Sequence, residues 1–343
     1  MRRRQFLGSS AALAASVVGL GIGAGCATAP TGSGSNAVLG PPETTTLRMS
    51  GGGACDAAFW TAGDYLREEG FTDARILPPS IGAVQRGEAD IAVGYSQWIV
   101  ANVDAGQPLL ALGGMHTGCA ELWVRPGIAS IRDLKGKTIA VNATDVTDVV
   151  YGFWSAILAS VGFDPRTQVN FVARGATAST LDLFVQGESD ALLALAVQVP
   201  LLRANPKNPG TLVMANVEDK PWSQYYCCQL IANRDWVQRY PMAAKRVTRA
   251  LLRANDRVAK DPAAAALSGV TQGFFTNYES VLAVLKNGRY EWRDLDPEES
   301  LRFFALQLAD QKMVKGVPQQ LVAQSSDYAY MRALKTQLPR PTN

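Results

Sequence analysis

The chain's only histidine, His116, stands in the stretch GGMHTGCAELWV, residues 113–124, with Cys119 and Glu121 close behind it. Imidazole, thiol and carboxylate are the side chains of metal ligation and of nucleophilic catalysis, so chemistry would be sought here first. A zinc site needs a third and a fourth donor at credible spacing. Cys227 and Cys228 could approach from far along the chain, but adjacent cysteines seldom build a tidy tetrahedron and there is no second histidine. No metal or other cofactor is therefore expected. A Cys–His nucleophile also needs a third group to orient the imidazole, and nearness in sequence supplies none, so no catalytic residue is assigned and the chain is not read as an enzyme. The stretch reads instead as the rim of a pocket, with His116, Thr117 and Glu121 as hydrogen-bonding groups. The alternative is that His116 is a satisfied interior residue.

Such a rim has to be held by a folded body. The 343 residues are 47% hydrophobic, enough to bury a proper core in two domains or one bilobal body. The net charge of +3 comes from 33 basic and 30 acidic residues, and three of the basic ones are Arg2, Arg3 and Arg4. The remainder is near neutral, which argues against a phosphate-tracking surface and a nucleic-acid partner.

Residues 1–26, MRRRQFLGSSAALAASVVGLGIGAGC, combine a basic start with a mildly apolar stretch ending in cysteine, the pattern of an export signal. Arg3-Arg4 followed by Phe6-Leu7 resembles a twin-arginine signal, and GAGC resembles a lipobox with Cys26 as the lipidated residue. Residues 27–43 are rich in Gly, Pro, Ser and Thr and read as a flexible tether. No other apolar run approaches the roughly 20 residues of a membrane-spanning helix. ATA at 27–29 also resembles an ordinary signal-peptidase site, although Pro30 directly after it makes a poor substrate, so the expected location is periplasmic, with a lipid anchor on Cys26 favoured over soluble release.

The clearest internal signal is a repeat. VQRGEADIAVG at 84–94 and FVQGESDALLA at 184–194 share Gly-Glu-small-Asp. A helix that ends at a left-handed glycine, turns a polar corner and enters an apolar strand predicts two lobes built alike. TTLRMS, ARILPP and ADIAVGY read as strands of the first lobe, and KTIAVN, QVNFVA and DALLALAV as strands of the second. Alternation with helices predicts mainly parallel sheets. Asp56 is placed to cap a helix running to about Glu69. After Pro241 the pattern turns helical, and the basic residues of YPMAAKRVTRALLRANDRVAKDP read as a solvated face. DPEESLRFFALQLADQ reads as a capped helix with acids in its first turn.

GEADIAVG, SIRDLKGKTIAVN, FVQGESDAL and RYPMAAKRVTRALLRANDRVAKDPAAAA, in this order over about residues 44–335, resemble substrate-binding proteins of ABC importers, in the nitrate, sulfonate, taurine and thiamine-pyrimidine-precursor group. The resemblance implies an α/β type II periplasmic-binding-protein fold, two similar lobes joined by a two-crossing hinge. Lobe 1 would comprise 44–123 and 228–343, including C-terminal helices packed mostly on it, and lobe 2 residues 124–227. The crossings are expected near Leu122–Ile128 and Tyr225–Ile231. Function would be capture of a small molecule by lobe closure and delivery to the importer's membrane subunits. The alternatives are a catalytic relative like the pyrimidine synthase, whose cysteine-rich motif YYCCQL matches only in having two cysteines, and a receptor that signals through a sensor protein. If the crossings are neighbours, Cys119 could pair with Cys227 or Cys228, although export after folding argues against an obligatory disulfide.

Ligands of open α/β sheets sit beyond the carboxyl ends of strands. That rule selects the loop after the first strand with Trp60 as a possible stacking platform, then Tyr95, Ser96 and Gln97. In the second lobe it selects Asn142, Thr144, Arg174 to Thr177, and Gln198, and Tyr226 joins from the return crossing as a stacking ring. The triple glycine 51–53 lacks the ending of a phosphate loop and reads as a tight turn. Asp145 and Asp148 would occupy the helix start that an anion would need. With Asp56 and Glu121 nearby, the expected ligand is neutral or cationic and polar, an amine or a heteroaromatic molecule.

Overall fold

Five strands form one mixed sheet: β1 (Thr46–Ser50), β2 (Asp73–Leu77), β3 (Ile91–Tyr95), β4 (Leu109–His116) and β10 (Cys228–Asn233), in the order β2-β1-β3-β10-β4. The intervening chain supplies β5 (Ala120–Val124), β6 (Thr138–Val141), β7 (Asn170–Ala173), β8 (Ala191–Leu195) and β9 (Thr211–Ala215), with β5 between β8 and β9 and β6 beside β7. The computed structural model describes residues 39–51, 53–175, 179–338 and 340. The signal at 1–26, Cys26 and most of the 27–43 tether lie outside the described residues, as does Thr177.

The repeat does the same work twice. Asp90 accepts the backbone N–H of Arg48 in β1 at 2.8 Å, and its own N–H donates to the Arg48 carbonyl at 2.8 Å. Asp190 does this with Thr138 of β6, at 2.8 and 2.7 Å. Each aspartate ties a strand to the turn that enters its neighbour, and the glycines three residues earlier, Gly87 and Gly187, have φ of +71° and +92°. Ser189 Oγ also accepts from Ala140 N–H at 3.0 Å, so β6 adjoins the turn into β8. The second set thus follows β7-β6-β8-β5-β9, with the same spatial pattern as the first.

The sheets are less parallel than expected. β1 runs parallel to β2 and β3, and β6 to β7, but β10 is antiparallel to β3 and β4, and β5 to β8 and β9. The reason is connectivity: β5 and β10 are the strands by which the chain enters each set from the other. β4 runs through Gly113 and Gly114 to His116, so the first changeover falls at Thr117–Cys119, ahead of the expected Leu122.

One core packs Leu47, Phe59 and Leu230 against Val247 and Leu251 of the helix Pro241–Lys260. A second joins both strand sets, with Ala92 and Ile99 meeting Leu122, Phe153 and Trp154. The helix Pro297–Asp310 lies on this second core, against helices Ser96–Asp104 and Val149–Ala159 from either side. The C-terminal helices therefore do not serve the first lobe alone. Asp296 caps that helix as the sequence predicts, accepting from Glu298 N–H at 2.9 Å with Pro297 at its first position.

The basic side of Pro241–Lys260 is engaged rather than solvated. Arg246 and Arg249 converge on buried Glu69, Arg253 pairs with Glu68, and Arg257 donates to the Thr61 carbonyl. Arg253 and Arg257 both lie over the Tyr65 ring, at 4.1 and 4.4 Å. Charge periodicity alone cannot distinguish a solvated face from one whose acidic partners lie far away in sequence. Among the described residues no helix is long and apolar enough to cross a membrane.

Candidate functional site

A cavity of about 400 Å³ opens where strand ends from both sets meet. Gly53 and Asp56 follow β1, Pro79 and Ser80 follow β2, and Tyr95 ends β3. Facing them are Asn142 after β6, Asp148 to Val150 at a helix start, and Leu195 to Val197 at the end of β8. The position is the one the strand-end rule predicts.

Its electrostatics follow from two carboxylates. Among the described lining residues Asp56 and Asp148 are acidic and none is Lys, Arg or His. Asp148 Oδ1 accepts from Val150 N–H and Tyr151 N–H, both at 3.0 Å, and so satisfies the helix start that would otherwise attract an anion. Asp56 Oδ2 accepts Gly53 N–H at 3.1 Å. The Gly53 N–H is thus taken by the loop's own aspartate rather than presented to a phosphate. Asp56 does not cap the following helix, which begins at Ala58 without a side-chain cap and breaks at Ala62.

Of the residues selected from sequence, Tyr95 and Asn142 line the cavity. Trp60 does not: its indole N–H donates to the Ala265 carbonyl at 2.9 Å and its ring packs on Phe275. Tyr226 is 1% exposed, with its ring over Gly114 and its hydroxyl donating to the Glu291 carbonyl at 3.3 Å. Both are core aromatics. Ser96 is buried and donates to the Tyr226 carbonyl at 2.7 Å, and buried Gln97 reaches the Val149 carbonyl at 3.3 Å. Glu121 is locked to Arg203 and Trp123 Nε1 within the second strand set, away from the cavity. Thr117 is buried and pairs by backbone with Arg289. Thr144 is exposed off the cavity, and exposed Arg174 pairs with Glu188 at 3.4 Å. Gln198 caps the turn after β8 by accepting Leu195 N–H at 3.0 Å. Among the lining residues outside the sequence selection, Pro79, Ser80 and Leu195 to Val197 stand at or just past the C-terminal ends of the predicted strands ARILPP and DALLALAV, and that was the signal available for them. Replacing Glu121 with Gln is expected to cost stability, by about 1–3 kcal/mol for a buried acceptor losing its charged partner, while solute affinity stays unchanged. Parallel urea and binding titrations check this, and a loss of affinity would return Glu121 to the site.

Behind the cavity wall lies a cluster that sequence spacing does not reveal. Cys119 Sγ is 3.2 Å from His116 Nδ1, 2.6 Å from Cys227 Sγ and 3.4 Å from Cys228 Sγ. All four cysteines of the described residues are buried free thiols. On the far side of the imidazole, Nε2 faces Asp56 Oδ1 at 3.6 Å. Burial opposes charging of His116, but attraction to Asp56 and to the Cys227 and Cys55 sulfurs outweighs it and raises the imidazole well above its ordinary pKa. Burial likewise raises the Cys227 thiol, yet Cys119, Cys228 and His116 together hold it well below the ordinary thiol range. A thiol, an imidazole and an orienting carboxylate are therefore in line, contrary to the reading from spacing. Only Cys55, Asp56 and Cys228 of the cluster reach the cavity wall, and His116, Cys119 and Cys227 are at most 2% exposed. The thiols closest to the imidazole meet no substrate space.

Two mixed strand sets of the same pattern with a cavity at their facing strand ends make a periplasmic-binding-protein fold. Solved structures agree. The alkanesulfonate-binding protein SsuA of Xanthomonas axonopodis pv. citri bound to MOPS is similar at 16% identity and TM-score 0.65, over 84% of this chain and 99% of that one. The periplasmic nitrate-binding protein NrtA of Synechocystis PCC 6803 is similar at 13% identity and TM-score 0.67, over 88% and 91%. The periplasmic aliphatic sulphonate-binding protein SsuA of Escherichia coli is similar at 13% identity and TM-score 0.59, over 81% and 91%. A comparison with curated protein sequences returns no significant match. The NMT1/THI5-like family model matches residues 62–265, more than half of the chain, and the chain belongs to the NMT1/THI5-like family.

Proposed function

We propose that the chain is an extracytoplasmic solute-binding receptor that captures a small neutral or cationic polar molecule and delivers it to the membrane subunits of an ABC importer. The observation that carries the ligand class is the cavity between the two strand sets, with Asp56 and Asp148 on its wall and no basic residue among its described lining. An amine gains charge-assisted hydrogen bonds there, whereas a sulfonate or nitrate meets two carboxylates and a helix start already occupied by Asp148. Tyr95 offers a ring for a heteroaromatic ligand and Asn142 a neutral hydrogen-bonding group. Closure of residues 124–227 against 44–123 and 228–343 is the proposed capture step. Export by the N-terminal segment and anchoring through lipid on Cys26 complete the reading, and it involves no chemistry on the solute.

The test is thermal unfolding of the full chain against amines, pyrimidines, sulfonates, nitrate and aromatic acids. A solute at 100 times its Kd stabilises by about 2.7 kcal/mol, a rise of a few degrees. A shift with an amine or pyrimidine, lost in Asp148→Asn, is the expected result. A shift confined to sulfonates or nitrate would overturn the ligand class.

A further inference from the structure

The buried sulfur cluster lies at the junction of three parts of the chain. His116 ends β4, Cys119 lies in the changeover to β5, and Cys227 and Cys228 enter β10, which inserts between β3 and β4. Cys228 pairs in register with His116 across β4 and β10, so the backbone ladder sets the donors opposite one another. The imidazole nitrogen and three sulfurs of His116, Cys119, Cys227 and Cys228 all lie within 4.8 Å of one another, and all four residues are buried.

We propose that His116 Nδ1 and the sulfurs of Cys119, Cys227 and Cys228 form a closed tetrahedral site for one thiophilic divalent ion of the zinc class. Three thiolates and one imidazole are a donor set for structural zinc, whose bonds of about 2.3 Å to sulfur and 2.0–2.1 Å to nitrogen a group this tight accommodates. A second feature points the same way. Imidazoles that ligate a metal through one nitrogen usually direct the other toward a carboxylate or carbonyl. His116 Nε2 has no hydrogen-bond partner within ordinary range and faces Asp56 Oδ1 at 3.6 Å. The ring is further held by packing on Tyr290, whose hydroxyl donates to the Cys55 carbonyl at 3.0 Å.

Binding displaces one proton from each of the three thiols, so M²⁺ plus three thiols gives the tris-thiolate complex and three protons, with no change of oxidation state. The ion would pin the β4–β5 changeover to the start of β10, one layer behind the solute cavity. The inference does not rest on the solute reading: Cys228 reaches the cavity wall, but His116, Cys119 and Cys227 do not line the cavity, and the distances among the four donors are set by the backbone that carries them.

The experiment uses the full chain, reduced and stripped with chelator, titrated anaerobically with Co²⁺ as the probe and then with Zn²⁺. Expected are one equivalent bound, thiolate-to-cobalt charge transfer with the intense visible bands of tetrahedral cobalt, stoichiometric displacement by zinc, and close to three protons released per ion. Cys119→Ser and Cys227→Ser should abolish the spectrum. Asp56→Asn keeps all four donors and should weaken affinity by about 10- to 100-fold. Absence of the tetrahedral spectrum in wild-type protein whose circular dichroism is native would overturn the proposal even if the serine variants fail to fold. So would binding that survives in a folded Cys119→Ser/Cys227→Ser protein. A Cys119–Cys227 disulfide in the isolated protein, with no ion taken up after reduction, would assign the cluster to a disulfide instead. Failure here leaves the solute titration, read through Asp148, unaffected.

Discussion

Gly114→Val should unfold the protein or remove about 3 kcal/mol or more of its stability, while Gly113→Ala should be borne with little loss. A Cβ on Gly114 would enter the Tyr226 ring, 2.6 Å from Cζ and closer still to two other ring carbons. The ring cannot step aside. Tyr226 is 1% exposed, its backbone N–H donates to Ser300 Oγ at 2.9 Å, and its hydroxyl is held by the Glu291 and Leu295 carbonyls. Forcing extra carbon into such a site typically costs 1–3 kcal/mol, and here backbone and ring are both fixed. At Gly113 the nearest atom is Met331 Sδ at 3.4 Å, the flexible part of an adaptable side chain. Equilibrium urea unfolding of both variants checks the contrast. Equal, small losses would show that Tyr226 can move. The double variant Gly114→Val/Tyr226→Ala should show strong positive coupling if the ring is the obstacle.

Glu69→Gln should cost about 3–5 kcal/mol, against less than about 1 kcal/mol for its neighbour Glu68→Gln. Glu69 is 2% exposed and takes Arg249 through two bonds of 2.6 Å and Arg246 through one of 3.1 Å. Arg246 in turn holds the carbonyls of Leu39 and Gly40 at 2.8 Å, so one carboxylate ties the start of the described chain and the helix Gly63–Glu68, which ends at Glu69, to Pro241–Lys260. Removing its charge strands two guanidinium groups in a largely dry place. Glu68 makes a single pair with Arg253 and is 56% exposed in its side chain, where water screens the attraction. Urea midpoints at constant salt measure both. A Glu69→Gln cost near that of Glu68→Gln would mean that water enters the pair.

The parts of this protein legible in its sequence are those whose physics is local. The glycine-corner-strand half of Gly87-Glu88-Ala89-Asp90 and Gly187-Glu188-Ser189-Asp190 could be read because a left-handed glycine and an aspartate bonding to adjacent backbone each need only nearby atoms, but the expected helix precedes only Gly187, as Thr180–Gln186, while Gly87 follows a three-residue 3-10 turn at 81–83. Asp148 could be read as a cap for the same reason, and the excess of acid at the cavity follows from it. The place of the cavity was legible through the strand ends, since that rule depends on chain direction alone. The lining was legible only in part. Tyr95 and Asn142 reach the cavity, while Trp60 and Tyr226 turn inward, and aromatic type does not say which way a ring faces.

What tertiary structure alone decided is the meeting of His116 with Cys119, Cys227, Cys228 and Asp56. That meeting depends on β10 inserting between β3 and β4, a pairing between residues more than a hundred positions apart that no local pattern encodes. Spacing suggested a pocket rim there, because in sequence the histidine has too few donors beside it. In the folded chain the ladder between β4 and β10 brings the missing donors to it, and burial then sets imidazole, thiols and Asp56 against one another.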